Sequence, residues 1–212
     1  RMADCAYLIN GPAATEIHTV DALRPTTTVL EYLREHIGRC GTKEGCAEGD
    51  CGACTVVLGE LVSEELRFRA VNACIQFLPT LDGKALFTVE SLKSRADGTL
   101  HPVQRAMVEC HGSQCGFCTP GFVMSLYALY RTEREPDESQ VRQALSGNLC
   151  RCTGYRPILA AARRMYEYPS ASDSESALIE QLRAISVTGE KRLGWQGSSY
   201  VAPSTIAELA RA

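Results

Sequence analysis

Apolar and polar positions along the chain change period near residue 100. Before it, apolar residues come in short runs bounded by turn formers. After it, they recur at helical spacing. Residues 6–10 and 16–20 read as two short strands, with Gly11-Pro12-Ala13-Ala14 supplying a hairpin turn. Thr26-Thr27-Thr28 offers a cap to a helix whose apolar face carries Val29, Leu30, Leu33 and Ile37, ended by Gly38. Stretches 55–58, 66–72 and 86–89 predict further strands. A hairpin, a helix laid across it and more strands make a small mixed α/β unit.

Residues 101–166 carry four helical stripes. Val103, Ala106, Met107 and Cys110 form the first; Phe122, Val123, Leu126, Leu129 and Tyr130 the second. Val141, Ala144 and Leu145 form a third, stopped at Gly147-Asn148. The fourth starts at Pro157 and runs through Ala160, Ala161, Arg164 and Met165. Four short helices predict a small bundle. The Pro/Ser/acidic stretch from Pro169 to Ser176 reads as linker, followed by a short helix over 177–185. Thr205 and Glu208 make a capping box for a last helix over 206–211. The expected class is α+β: a first domain over 1–91, a helical one over 92–168, a linker over 169–198, and the opening of a further domain over 199–212.

With 212 residues, 45% of them hydrophobic, the chain has enough apolar side chains for one large core or two small ones. The net charge of −3 is spread with both signs interspersed, which argues against a nucleic-acid or anionic-membrane footprint. No apolar run has bilayer-spanning length. The opening residues read as a strand and a turn rather than a signal peptide.

Eleven cysteines change the picture. Their odd number and clustering in loops favour metal ligation in a reducing compartment over a disulfide framework, so a cytoplasmic location is expected. Cys46, Cys51 and Cys54 are spaced C-x4-C-x2-C, with Cys74 further on, the plant-type [2Fe–2S] spacing. Gly45, Gly49 and Gly52 let the loop wrap a cluster closely and point amides at it. A four-cysteine zinc site is the competing reading, but zinc ribbons present two short knuckles instead. A second constellation pairs Cys115-Gly-Phe-Cys118 with Cys150-Arg-Cys152, each just ahead of a predicted helix, where free amides favour thiolates. Spacing alone also admits Cys110, because Cys110, Cys115 and Cys118 repeat C-x4-C-x2-C. Its place on an apolar helix face leans the other way, and Cys5 and Cys40 read as the same kind of small hydrophobe.

The stretch Lys43-Glu44-Gly45-Cys46-Ala47-Glu48-Gly49-Asp50-Cys51-Gly52-Ala53-Cys54-Thr55 with Asn72-Ala73-Cys74 resembles the ferredoxin-like (β-grasp) domain of molybdenum hydroxylases. The segments 111–121 (HGSQCGFCTPG) and 147–155 (GNLCRCTGY) resemble that family's helical second domain. The likeness runs from about Ala6 to Met165. Asp50 and the stretch 200–209 add a likeness to small iron–sulfur/FAD subunits of bacterial xanthine dehydrogenases, making 199–212 the start of an incomplete FAD-binding domain. No glycine-rich FAD motif lies within the sequence.

The resemblance implies two [2Fe–2S] clusters, one on Cys46, Cys51, Cys54 and Cys74 and one on Cys115, Cys118, Cys150 and Cys152, leaving Cys110 out. It implies that Gln114 and Cys152 approach a molybdopterin bound by a partner subunit. Electrons would pass from that partner through the helical-domain site and the ferredoxin-like site to FAD and NAD, in a heterotetramer or larger assembly. Purine hydroxylation is the implied reaction, with aldehyde or carbon monoxide oxidation as alternatives, because substrate choice resides in the large subunit. No catalytic base or nucleophile is expected here; His18, His36, His101 and His111 show no ligand spacing, and Arg151 and Arg156 read as surface or docking charges. A free-standing carrier and a zinc-stapled interaction module are the rival classes.

Overall fold

The computed structural model describes residues 5–10, 15–20, 23–93, 98–169, 175–185 and 191–212. Strands β1 (Cys5–Asn10) and β2 (Thr15–Val20) pair antiparallel; the turn expected at 11–14 lies outside the described residues. Strands β3 (Thr55–Val62) and β4 (Glu65–Asn72) form a second antiparallel pair. Strand β5 (Ala85–Phe87) joins the two, parallel to β1 and antiparallel to β3, so the sheet runs β2-β1-β5-β3-β4.

Alternation along the strands gives the sheet two covered faces. Ile9, Val56, Leu58 and Leu86 meet Val29, Leu30 and Leu33 from helix α1 (Val29–Glu31) and the π-helical turn that continues it over Tyr32–His36. The expected helix is therefore present but widened: the Ile37 amide reaches back to the Tyr32 carbonyl at 3.2 Å, and Gly38, at φ 67°, closes it. Leu8, Val57, Phe68, Ala85 and Phe87 face the other way.

Helices α2 (Pro102–Glu109), α3 (Thr119–Thr132), α4 (Glu138–Leu145) and α5 (Arg156–Arg164) form the helical part. Caps set their starts: His101 Nδ1 accepts the Val103 amide at 3.2 Å, and Asp137 accepts the Gln140 amide at 2.8 Å. Helix α3 is buried nearly all round. Phe122, Val123, Leu126 and Leu129 pack against the other three helices, while Met124, Tyr127 and Ala128 pack on the sheet. One helix thus belongs to both cores and fixes one domain against the other.

Three expectations need correction. Strand β3 runs on to Val62, through a tight turn in which Ser63 and Glu64 both have positive φ. Strand β5 ends at Phe87, because Thr88 and Ser91 cap a 3-10 turn over Val89–Ser91 that leads to the helices. The stretch 169–198 is more than a linker. It carries helix α6 (Glu175–Ile185), which buries Leu178, Leu182 and Ile185 against the sheet. It also carries β6 (Lys191–Trp195), paired with β7 (Ser198–Ala202) across the boundary drawn at 198/199. The capped helix near the end is α7 (Ile206–Leu209), with Thr205 Oγ1 accepting the Glu208 amide at 3.1 Å. Among the described residues no helix is long and apolar enough to cross a membrane.

Candidate metal centres

The loop between α1 and β3 holds Cys46, Cys51 and Cys54, and the bend after β4 brings up Cys74. Cys46 Sγ lies where amides converge: those of Glu48, Asp50 and Cys51 donate to it at 3.5, 3.3 and 3.3 Å. The Glu48, Cys51 and Asp50 amides, in that order of weight, hold the Cys46 thiol down at about 6. Cys51 Sγ in turn accepts the Cys46 amide at 3.4 Å. Cys54 and Cys74 are both buried and touch through their thiols, and burial pushes Cys54 up to about 12.

The loop is built by its glycines. Gly49, at φ 83°, takes a conformation an L side chain disfavours, and its carbonyl accepts from Asn72 at 2.5 Å. A Cβ on Gly45 would come within 2.7 Å of Cys51 Sγ. Gly45 therefore packs too closely on Cys51 to carry a side chain.

The second set forms where the α2–α3 and α4–α5 loops meet. Cys115 and Cys152 are exposed, with sulfurs 3.7 Å apart. Cys118 stands at the N-cap position of α3, without a side-chain capping bond, and contacts Cys150. Burial pushes Cys118 up to about 12. Burial also opposes ionisation of Cys150, but it is outweighed by the Thr153 hydroxyl and the Thr153 and Cys152 amides, which bring it to about 7. Gln114 is exposed beside Cys115.

In both places the thiols come as two close pairs: 46 with 51, 54 with 74, 115 with 152, and 118 with 150. A tetrahedral site with metal–sulfur bonds of about 2.3 Å needs its sulfurs about 3.8 Å apart, which is the Cys115–Cys152 spacing. Among the described residues no three His, Cys, Asp or Glu gather about one ion position. The donor set, paired thiols with backbone amides donating to them, fits a two-metal centre with two thiolates on each metal.

Cys110 sits at the end of α2, packed against the helical core. Cys40 is exposed and carries no neighbouring thiol in either set. His101 is buried as the α2 cap against Tyr127 and Tyr130, so its role is structural.

The two loops touch directly. The Leu149 amide, next to Cys150, donates to the Cys51 carbonyl at 3.0 Å. Asn148 is buried and donates to the Gly52 carbonyl at 3.0 Å and to Thr55 at 3.1 Å, while accepting from Ser125 at 2.6 Å. A Cβ on Gly121 would overlap the Gly52 carbonyl oxygen, and one on Gly52 the Gly147 carbonyl oxygen.

Residues 14–78 match the family described as "2Fe-2S iron-sulfur cluster binding domain", and residues 88–163 match the "[2Fe-2S] binding domain" family. Residues 14–163 thus carry a tandem of matches to two 2Fe–2S-binding domains. This tandem is 50% identical over 162 residues to aldehyde oxidase 2 of Cavia porcellus, covering 74% of this chain and 12% of that protein. It is 47% identical over 161 residues to xanthine dehydrogenase of Drosophila pseudoobscura pseudoobscura, covering 75% and 12%. The tandem thus spans about an eighth of the length of these relatives. Quinoline 2-oxidoreductase from Pseudomonas putida 86 superposes with a TM-score of 0.63 at 28% identity, over 86% of this chain and 97% of that one. The similar proteins thus include both aldehyde oxidases and xanthine dehydrogenases.

Proposed function

We propose that this chain is the electron-conducting portion of a molybdenum hydroxylase, with Cys46, Cys51, Cys54 and Cys74 holding one [2Fe–2S] cluster and Cys115, Cys118, Cys150 and Cys152 the other. The observation that carries the reading is the repeated pairing of thiols, once in each matched domain. When bound, each cluster supplies a site that accepts one electron and releases it. The protein's contribution is to hold the ligands, surround them with amides and keep the two sites close.

The exposed side of the second site, with Gln114, Cys115 and Cys152, is the face we assign to the molybdopterin of a partner subunit. The Leu149–Cys51 hydrogen bond joins the backbone beside one ligand set to the other, giving a short bonded connection inward. On the likeness of 200–209, the β6–β7 hairpin and α7 are read as leading into a flavin-binding domain that hands electrons to NAD. Purine hydroxylation is the first reading for the assembled enzyme. Aldehyde oxidation is the second, with an aldehyde oxidase at 50% identity standing beside xanthine dehydrogenases at 47% and 52%. In either case the substrate site is assigned to the partner subunit, and the proposed domain limits near 91 and 168 bracket helices α2 to α5.

The test is a pair of single-ligand variants examined by EPR after dithionite reduction. Cys46→Ser should remove or broaden one reduced-state signal, Cys115→Ser the other, with each partner signal retained. A zinc-stapled module would be EPR-silent in wild type and both variants. Co-purification with a molybdenum-bearing subunit, lost when the Gln114 face is altered, would separate the assembled enzyme from a free carrier.

A further inference from the structure

The short loop from Cys150 to Tyr155 closes on itself through three contacts. The Cys150 amide donates to the Tyr155 hydroxyl at 2.9 Å. The Tyr155 amide donates to Thr153 Oγ1 at 3.2 Å. Thr153 Oγ1 lies 3.2 Å from Cys150 Sγ. Tyr155 holds this arrangement from the left-handed region, φ 68°, with its ring edge-on to the buried Phe122 at 6.1 Å. A non-glycine residue in that region is uncommon, and here its side chain and its amide both serve the same loop.

We propose that Thr153 is a positioning residue of the second centre, donating its hydroxyl proton to the Cys150 sulfur and so raising that centre's reduction potential. The inference rests on the reading of Cys150 as a cluster ligand. Two facts fix the direction of the bond. A metal-bound thiolate has no proton and only accepts. A threonine hydroxyl has one proton and two lone pairs, and the Tyr155 amide already occupies a lone pair, so the proton is left to point at the sulfur. Reduction adds negative charge to the ligand sulfurs, and a donor aimed at one of them stabilises the reduced form more than the oxidised form. The Cys150 amide cannot do this, since the Tyr155 hydroxyl holds it. The Thr153 and Cys152 amides also reach the sulfur, and they survive a side-chain substitution. Thr153 is therefore the one side-chain donor to Cys150 Sγ, among those described, that is not itself a proposed ligand, and its removal also frees the Tyr155 amide.

The decisive experiment is an EPR-monitored redox titration of the intact protein carrying Thr153→Val, Thr153→Ser or the wild-type residue, with iron and labile sulfide measured on each. Valine keeps the branched shape and removes the hydroxyl; serine keeps the hydroxyl. The expected result is a shift to more negative potential for the second centre in Thr153→Val, an unchanged first centre, and restoration in Thr153→Ser. No shift, an equal shift of both centres, or failure of serine to restore would overturn the proposal. If Thr153→Val and Thr153→Ala both lose second-site iron, pulsed EPR of wild type in H2O and D2O decides: a fast-exchanging proton coupled to the second centre is expected, and its absence refutes the donor. A wild-type protein with no second reduced-state signal would instead refute the ligand reading itself.

Discussion

Asn148 uses both ends of its amide group inside the protein, accepting from Ser125 and donating to Gly52 and Thr55. Asn148→Ala would strand the buried Ser125 hydroxyl and weaken the satisfaction of the Gly52 carbonyl, at a cost of about 3 kcal/mol. Because the contact joins both ligand loops, chemical denaturation should show the loss of stability, and iron content should fall at both sites rather than one. His101 makes a pH-dependent contribution. Burial, followed by the nearby Arg131 charge, lowers its pKa to about 4, below the ordinary value of about 6.5 for the unfolded chain. The depressed value means that stability is fully present above pH 6.5 and is lost as pH falls towards 4. Between pH 7.5 and pH 5 the loss attributable to this residue is about 2 kcal/mol. Urea midpoints should fall further over that interval in wild type than in His101→Asn, which keeps a capping oxygen and does not titrate.

The cysteine spacing made Cys46, Cys51, Cys54 and Cys74 legible in the sequence as one set, whereas in the second set spacing also admitted Cys110, and only the family resemblance set it aside. Asn148, Thr153 and Tyr155 were not legible in the same way. Asn148 reads locally as the stop of α4, and its partners Gly52 and Thr55 lie some ninety residues away in the chain. The left-handed Tyr155 has no sequence signature, since glycine or asparagine is the usual sign of that conformation.

At the scale of elements, helix α3 and helix α6 tie sheet and bundle together. The stripe Phe122, Val123, Leu126 and Leu129 was readable from its period, but Met124, Tyr127 and Ala128 on the opposite face answer to the sheet, which periodicity within one helix does not show. Helix α6 was readable as a helix, and its docking was not. Its Leu178, Leu182 and Ile185 cover the sheet beside Leu8 and Phe87, and Arg131 on α3 pairs with Glu175 at 2.7 Å while lying 4.0 Å over the Phe68 ring. Leu182 is 1% exposed, so Leu182→Ala should destabilise the protein by about 3 kcal/mol, whereas truncating a linker residue would cost almost nothing. Equilibrium denaturation distinguishes these outcomes. The Ser63–Glu64 turn was missed for a related reason: neither residue is a usual type I′ former, and pairing of β3 with β4 out to Val62 and Glu65 imposes the conformation.

Across the whole molecule, a five-stranded sheet and a four-helix bundle that share helix α3 meet where their ligand loops are. Gly52 and Gly121 allow that approach, since a Cβ at either would overlap a backbone oxygen on the facing side. The two thiol sets are thus parts of one hydrogen-bonded seam, which suits the proposed conduction between two neighbouring sites. The most direct test of this account is the content of iron, acid-labile sulfide and zinc in anaerobically purified protein. The account predicts about four irons and a matching amount of sulfide per chain, with little zinc. Zinc without labile sulfide would contradict it and leave the eight cysteines as a structural staple.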